Sequence, residues 1–213
     1  MTVYIPVENP DSDRSTPHNL PDVSVGDAST VLLLGSPLDS KTLDAGLSLA
    51  ARGPLADTRV LWVTLLNTAD EVVDIWDDHV STRPERFRIV LVGDGLSGVN
   101  SVADPVVETD SVADPGDLTT LGVRLMEVLS VWSQDDVRIH LRFDSLTPIL
   151  QYVGPRTLVQ FLHTLTSRLS AGGVTAQFHL DPMAHDSRTV HALGSICDAQ
   201  VHVEGDSISV TTR

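Results

Sequence analysis

Short continuous apolar runs alternate along the chain with stretches whose apolar side chains recur every three or four residues, the signature of buried strands alternating with amphipathic helices. Residues 31–34 are Val-Leu-Leu-Leu, a run suited to a strand covered on both faces. Leu43, Leu47 and Ala50 or Ala51 then fall at helical spacing until Gly53-Pro54 stops them. A second strand is expected over 59–66. Thr68 and Glu71 form a capping box that opens a helix through Val72, Ile75, Trp76 and Val80. A third strand is expected over 88–92. Asp117 caps a helix with Leu118, Leu121, Leu125, Val128, Leu129 and Trp132 on one face. A fourth strand over 137–143 ends at Asp144-Ser145. A long helix over about 155–170 turns Leu158, Phe161, Leu162, Leu165 and Leu169 inward, and Gly172-Gly173 closes it. The fifth strand is expected over 174–180, followed by a short helix near 187–197. Residues 199–203 and 207–212, joined by Gly205-Asp206, read as a terminal hairpin.

Alternating strand and helix units imply an α/β fold: a mostly parallel central sheet with helices on both faces, finished by an antiparallel C-terminal hairpin. Residues 29–213 form one domain by this reading. Residues 1–28 carry Pro6, Pro10, Pro17 and Pro21 among polar residues and read as an arm, extended along the domain or partly disordered. Residues 93–116 read as an irregular, mobile loop. The motif Ser-Val-Ala-Asp-Pro occurs there twice, at 101–105 and 111–115, far too short a unit to build a repeat fold.

Composition narrows the partners. Asp and Glu number 29 against 14 Lys and Arg, a formal net charge of −15. Such a surface repels the phosphates of nucleic acid, so no nucleic-acid role is expected. Lys41 is the only lysine, and arginine supplies the remaining positive charge. That bias resembles proteins of salt-loving archaea, where concentrated salt shortens the Debye length to about 3 Å at 1 M. An acidic mesophilic protein that meets a basic partner is the alternative. No apolar run reaches a membrane span and the start lacks a basic leader, so a cytoplasmic location with no membrane contact is expected. Cys197 stands alone, which excludes internal disulfides and cysteine-built zinc sites and leaves a small buried hydrophobe as the simplest reading.

The chemistry concentrates after the first strand. Gly35-Ser36-Pro37-Leu38-Asp39-Ser40-Lys41-Thr42 follows the strand and enters a helix, close to the phosphate-loop pattern G-x-x-x-x-G-K-[ST] with Ser40 in place of the second glycine. Phe143-Asp144-Ser145-Leu146-Thr147 stands at another strand end, and Val63-Thr64 at a third.

Those three strand ends, with the closing hairpin, resemble the KaiC-like branch of the RecA-superfamily ATPases over about residues 28–213, and in particular its small haloarchaeal paralogues. The resemblance implies a RecA-like P-loop NTPase fold with ATP and Mg²⁺ as possible, weak ligands. Nucleotide contacts would come from Gly35, Ser36, Leu38, Asp39, Ser40, Lys41 and Thr42. Lys41 would meet the β- and γ-phosphates, while the Thr42 hydroxyl and Asp144 would serve Mg²⁺. It also implies self-association, or pairing with another RecA-like or signalling protein, because such domains place nucleotide at subunit boundaries.

Departures from the pattern matter as much as the matches. Ser40 lacks the dihedral freedom of glycine, at a cost of about 1 kcal/mol if the loop needs a left-handed residue. Pro37 removes an N–H donor. Asp39 puts a carboxylate where phosphate charge would sit, worth about 3 kcal/mol of repulsion per charge pair at ~5 Å before screening. Alignment on Val63-Thr64 sets Leu66 and Asn67 where the family carries its water-activating glutamates, and neither accepts a proton. Glu71 is explained by the capping box. The expectation is a degenerate member with a regulatory or scaffolding role, weak or absent ATP binding, little hydrolysis and no catalytic residue. An ATPase with an unorthodox water-activating group, or a pure interaction module, are the alternatives.

Other constellations carry less. His179, Asp181, His185, Asp186 and His191 contain metal-ligand types, but a strand end and a proline turn separate them, and helix capping explains Asp186. Ser145 beside Asp144 lacks the flanking glycines of a hydrolase elbow. Arg142 and His140 lie among apolar residues, so a buried guanidinium there needs a carboxylate, and Asp144 is one candidate. Trp62, Trp76 and Trp132 are expected in the core.

Overall fold

The computed structural model describes residues 20–80, 82–93, 105–135 and 137–213. The strands are β1 (Thr30–Leu34), β2 (Thr58–Thr64), β3 (Arg86–Val92), β4 (Val107–Val112), β5 (Arg138–Asp144), β6 (Thr175–Leu180), β7 (Ala199–Glu204) and β8 (Ser207–Thr212). They form one eight-stranded sheet in the order β4-β3-β2-β5-β6-β1-β7-β8. Every neighbouring pair runs parallel except β7 and β8. The helices are α1 (Ser40–Ala50), α2 (Ala69–His79), α3 (Leu118–Trp132), α4 (Leu146–Ile149), α5 (Pro155–Ala171) and α6 (Ser187–Gly194).

Both faces of the sheet are covered, which is why its inner strands read as unbroken apolar runs. Successive side chains of a strand point to opposite faces, and β1 divides accordingly. Leu32 and Leu34 join a core with Leu125 of α3 and Leu158 and Leu162 of α5. Val31 and Leu33 pack with Ala45 and Leu49 of α1. In β2, Leu61 and Val63 enter the α3/α5 core, while Trp62 packs with Val72 and Trp76 of α2. All three tryptophans are buried.

Caps fix where the helices begin. Thr68 accepts from the Glu71 amide while Glu71 reaches back to the Thr68 amide, the expected capping box. Asp117 and Asp186 accept from the amides of Thr120 and Thr189. The hairpin turns on Gly205, whose φ of 54° lies in the left-handed region that favours glycine.

The structure departs from expectation within 93–116. Val107–Val112 is a strand, β4, added in parallel to β3 at the sheet edge. Its sequence, Val-Glu-Thr-Asp-Ser-Val, has no apolar run because an edge strand is covered on fewer sides. Ion pairs attach it: Arg88 bonds Asp110 at 2.8 Å and also meets Glu108. Residues 94–104, with the first Ser-Val-Ala-Asp-Pro copy almost entire, lie outside the described residues. So does 1–19 of the expected arm, whereas Val23 and Val25 are buried beside β1 and β7. Cys197 is buried, and that burial, with the Asp198 charge, pushes its thiol up to about 12. Among the described residues no helix is long and apolar enough to cross a membrane.

Candidate functional site

The carboxyl ends of β1, β2, β5 and β6 converge, the edge at which parallel α/β sheets hold ligands. A cavity of about 360 Å³ opens there. Pro37, Leu38 and Thr42 line it from the β1–α1 loop, Leu66 and Asn67 from the turn after β2, and Arg142, Asp144 and His179 from β5 and β6.

The loop is occupied by its own groups. Asp39 is the N-cap of α1, and its carboxylate accepts from the Lys41 amide at 3.0 Å. Its carbonyl takes the amides of Thr42 and Leu43, at 3.0 and 3.3 Å. Ser36 accepts the Asp39 amide on its carbonyl, at 3.2 Å, and the Leu38 amide on its hydroxyl, at 3.3 Å. An anion at a helix N-terminus needs such donors free, and here a resident carboxylate holds one of them. Ser40, the first residue of α1, is exposed. The Lys41 ammonium pairs with Asp206 at the tip of the β7–β8 hairpin. Lys41 is therefore drawn toward the hairpin and is not among the cavity's lining residues.

Thr42 stands differently. It is buried, and its Oγ1 has no hydrogen-bond partner among the described residues. Gly35 makes room for it: a Cβ on Gly35 would lie 2.3 Å from that oxygen.

Asp144 is tied on both oxygens. Arg142 Nη2 donates to Oδ2 at 3.3 Å, and His179 Nδ1 meets Oδ1 at 3.0 Å. His179 Nε2 faces the Gly35 carbonyl at 3.0 Å. Both ring nitrogens thus face acceptor oxygens. Burial would raise the Asp144 carboxyl, but the His179 hydrogen bond and the Arg142 charge outweigh it and hold the group down at about 2. Arg142 also lies with its Cζ 4.3 Å from the Trp62 ring centroid. Gly46, inside α1, admits the guanidinium, since a Cβ there would sit 2.3 Å from Arg142 Nη1.

Arg142 and Asp144 belong to a longer row. Arg138, His140, Arg142 and Asp144 alternate along β5 with Ile139, Leu141 and Phe143, which enter the α3/α5 core. The four polar residues therefore share the face covered by α1.

Leu66 and Asn67, which the resemblance sets where its family activates water, carry no basic side chain. Leu66 and Asn67 line the cavity, and their amides donate to the Thr64 hydroxyl at 3.2 and 3.1 Å. Glu71 is held in its capping box, where the Thr68 amide and hydroxyl lower its carboxyl. Asp181 accepts from Met183 N, Asp186 caps α6, and His185 meets the Thr147 hydroxyl at 3.3 Å. No group of three or more metal-ligand side chains occurs among the described residues. Ser145 donates to the His179 carbonyl at 3.2 Å.

Sequence reasoning grouped His179 with Asp181 and His185 and missed its pairing with Asp144. One signal was available: a histidine inside the otherwise buried run of β6, on a strand expected to run parallel to the one ending at Asp144.

Comparison with known proteins agrees with this architecture. The model of a family of unknown function, DUF7504, matches residues 28–203. No curated protein sequence matches the chain. Among solved structures, the KaiC-like protein PH0186 from Pyrococcus horikoshii is similar with a TM-score of 0.53 and 17% identity, over 87% of this chain and 79% of that one. PH0250 from the same organism gives a TM-score of 0.57 at 10% identity, over 87% and 86% of the two chains. The uncharacterised P. horikoshii protein PH0321, solved with an unknown peptide, gives 0.56 at 12% identity, over 86% and 83%. The fold is thus a RecA-like α/β fold, with a mostly parallel sheet and an antiparallel C-terminal hairpin.

Proposed function

The chain belongs to DUF7504, a family of unknown function, and from that premise we propose that it is a KaiC-like RecA-fold protein that has given up nucleotide chemistry for a regulatory or scaffolding role. One observation carries this reading: the Asp39 carboxylate already accepts from the Lys41 amide in the first turn of α1, where a phosphate would bind. Two more support it. Asp144, the Mg²⁺ ligand expected from the resemblance, is engaged on both oxygens by Arg142 and His179. Lys41 is paired with Asp206. The residues fit Mg²⁺ poorly: among the described lining residues the buried polar atoms without a partner are the Thr42 hydroxyl and Arg142 Nε and Nη1, of which the hydroxyl alone can ligate a cation.

In this reading the protein acts by association, with itself or with another RecA-like or signalling protein, in the cytoplasm of a salt-loving archaeon. The acidic, lysine-poor composition supports that setting. Titration calorimetry with Mg-ATP in multimolar KCl, run beside a phosphate-release assay, tests it. The expected result is no saturable uptake in the micromolar range and no phosphate release above the buffer rate. Tight uptake that Lys41→Ala abolishes, with steady phosphate release, would overturn it.

A further inference from the structure

A second cavity, of about 430 Å³, lies at the opposite edge of the sheet. It is built from the amino ends of β1, β5 and β6 and the chain just past α1, and β5 alone sets it about 20 Å from the Asp144 site, at ~3.3 Å per residue. Its lining includes Arg52, Gly53, Arg138, His140 and Thr175.

Two guanidinium groups and one carboxylate line this cavity. Arg59, Arg83, Arg86, Arg88, Arg124 and Arg142 each meet a carboxylate. Neither Arg52 nor Arg138 has an ion pair with a described residue, although Asp27 lines the same cavity. Their proximity is itself unfavourable: burial, and then the charge of Arg52, push the Arg138 guanidinium below its usual range. Arg138 lies across Gly53, where a Cβ would come within 2.7 Å of its Nη1. The carboxyl end of a helix attracts guanidinium groups, which accounts for one cation here but not for two facing each other.

His140 adds a chemical detail. It is 6% exposed, and burial, reinforced by Arg142, Arg138 and Arg52, pushes it down to about 3, so it is neutral. The Thr175 hydroxyl donates to the Ile139 carbonyl at 3.2 Å, so its oxygen accepts from His140 Nδ1 at 2.9 Å. That fixes the tautomer and leaves Nε2 as an acceptor. Nε2 has no partner among the described residues.

We propose that this cavity binds a phosphate group that retains a P–OH, with Arg52 and Arg138 gripping the charged oxygens and the P–OH donating to Nε2 of His140. Two guanidinium forks match a tetrahedral oxyanion. The histidine lone pair demands a donor, which phosphate carries near neutral pH and sulfate does not. The group is either the free ion, which keeps a P–OH as HPO₄²⁻, or a small monoester bound as its monoanion.

Calorimetric titration of the full chain with inorganic phosphate, sulfate and glycerol phosphate tests this. Saturable uptake of inorganic phosphate or of glycerol phosphate is expected, with sulfate at least about tenfold weaker. The tighter of the two phosphate ligands identifies the source. Arg52→Gln and Arg138→Gln are each expected to weaken uptake about tenfold or more, whereas Arg124→Gln, a charge control on α3, leaves it unchanged. Thermal unfolding guards against misfolding: in phosphate-free buffer Arg52→Gln melts at or above the wild-type temperature, because a like charge has gone, yet loses the rise that phosphate gives the wild type. Absence of saturable uptake, or uptake indifferent to both arginines, would overturn the site. Sulfate binding as tightly as phosphate would overturn the assigned ligand class.

Discussion

The two ends of the polar row on β5 are built from the same residue types and reach opposite electrostatic solutions. At the carboxyl end, Arg142, Asp144 and His179 compensate one another inside the protein, with the Gly35 carbonyl facing the second ring nitrogen of His179. At the amino end, Arg138 and Arg52 line one cavity with Asp27 but make no ion pair with a described residue, beside a histidine kept neutral by burial and by their charge. The resemblance points to the first end as the working site. The carboxyl end has its carboxylate fully engaged while the Thr42 hydroxyl and Arg142 Nε and Nη1 have no partner among the described residues, whereas the amino end holds two guanidiniums without an ion pair and an unmet histidine acceptor.

Breaking each end separates these solutions. The largest effect is expected from Asp144→Ala, which leaves Arg142 and His179 buried without their anion. A loss of about 3–5 kcal/mol is expected in denaturant unfolding, against no loss for Arg138→Gln. Equal costs at both ends would erase the contrast.

Acid titration sharpens it. His140 has a folded value of about 3 against an ordinary 6.5, so the unfolded chain binds the extra proton between those values. Its contribution to stability is therefore present above about pH 6.5 and is lost as pH falls toward 3, with a slope of up to about 1.4 kcal/mol per pH unit. Asp144, held at about 2 against an ordinary 3.8, contributes stability above about pH 4 that is lost progressively as pH falls from there to about 2. Unfolding midpoints measured from pH 7 to pH 2 should fall in two stages. His140→Gln should remove the first stage, and Asp144→Asn the second.

Gly46→Ala is expected to cost about 1–3 kcal/mol, despite alanine's better helix propensity, because its Cβ would meet Arg142 Nη1 at 2.3 Å. Chemical denaturation checks this, and in an Arg142→Ala background, itself less stable, Gly46→Ala should instead add the helix gain. The smallest effect is expected at the exposed Lys41–Asp206 pair, where Lys41→Ala should leave the unfolding midpoint unchanged within error.

Much of this molecule was legible in its sequence, for local reasons. Apolar runs such as Val31 to Leu34 mark strands covered on both faces, and the Thr68 and Glu71 pair marks a helix start through contacts three residues apart. β4 escaped notice because its pairing depends on Arg88, about twenty residues away, rather than on its own hydrophobicity. The candidate site was half legible. Gly35, Thr42 and Asp144 could be placed by strand ends, but the side chains that pair with Asp144 and Lys41 could not. His179 meets Asp144 only because β6 lies beside β5 in the sheet, and Asp206 meets Lys41 only because the terminal hairpin folds beside β1. Neither adjacency is written in the spacing of the residues concerned.

The central claim is that a resident carboxylate fills the phosphate position of the β1–α1 loop. The most direct measurement is Mg-ATP titration of the wild type against a variant carrying Asp39→Gly and Ser40→Gly, which removes that carboxylate and restores the glycine of the phosphate-loop pattern. The account predicts that the variant gains saturable affinity that the wild type lacks. Tight binding by the wild type, unchanged or weakened in the variant, would contradict it.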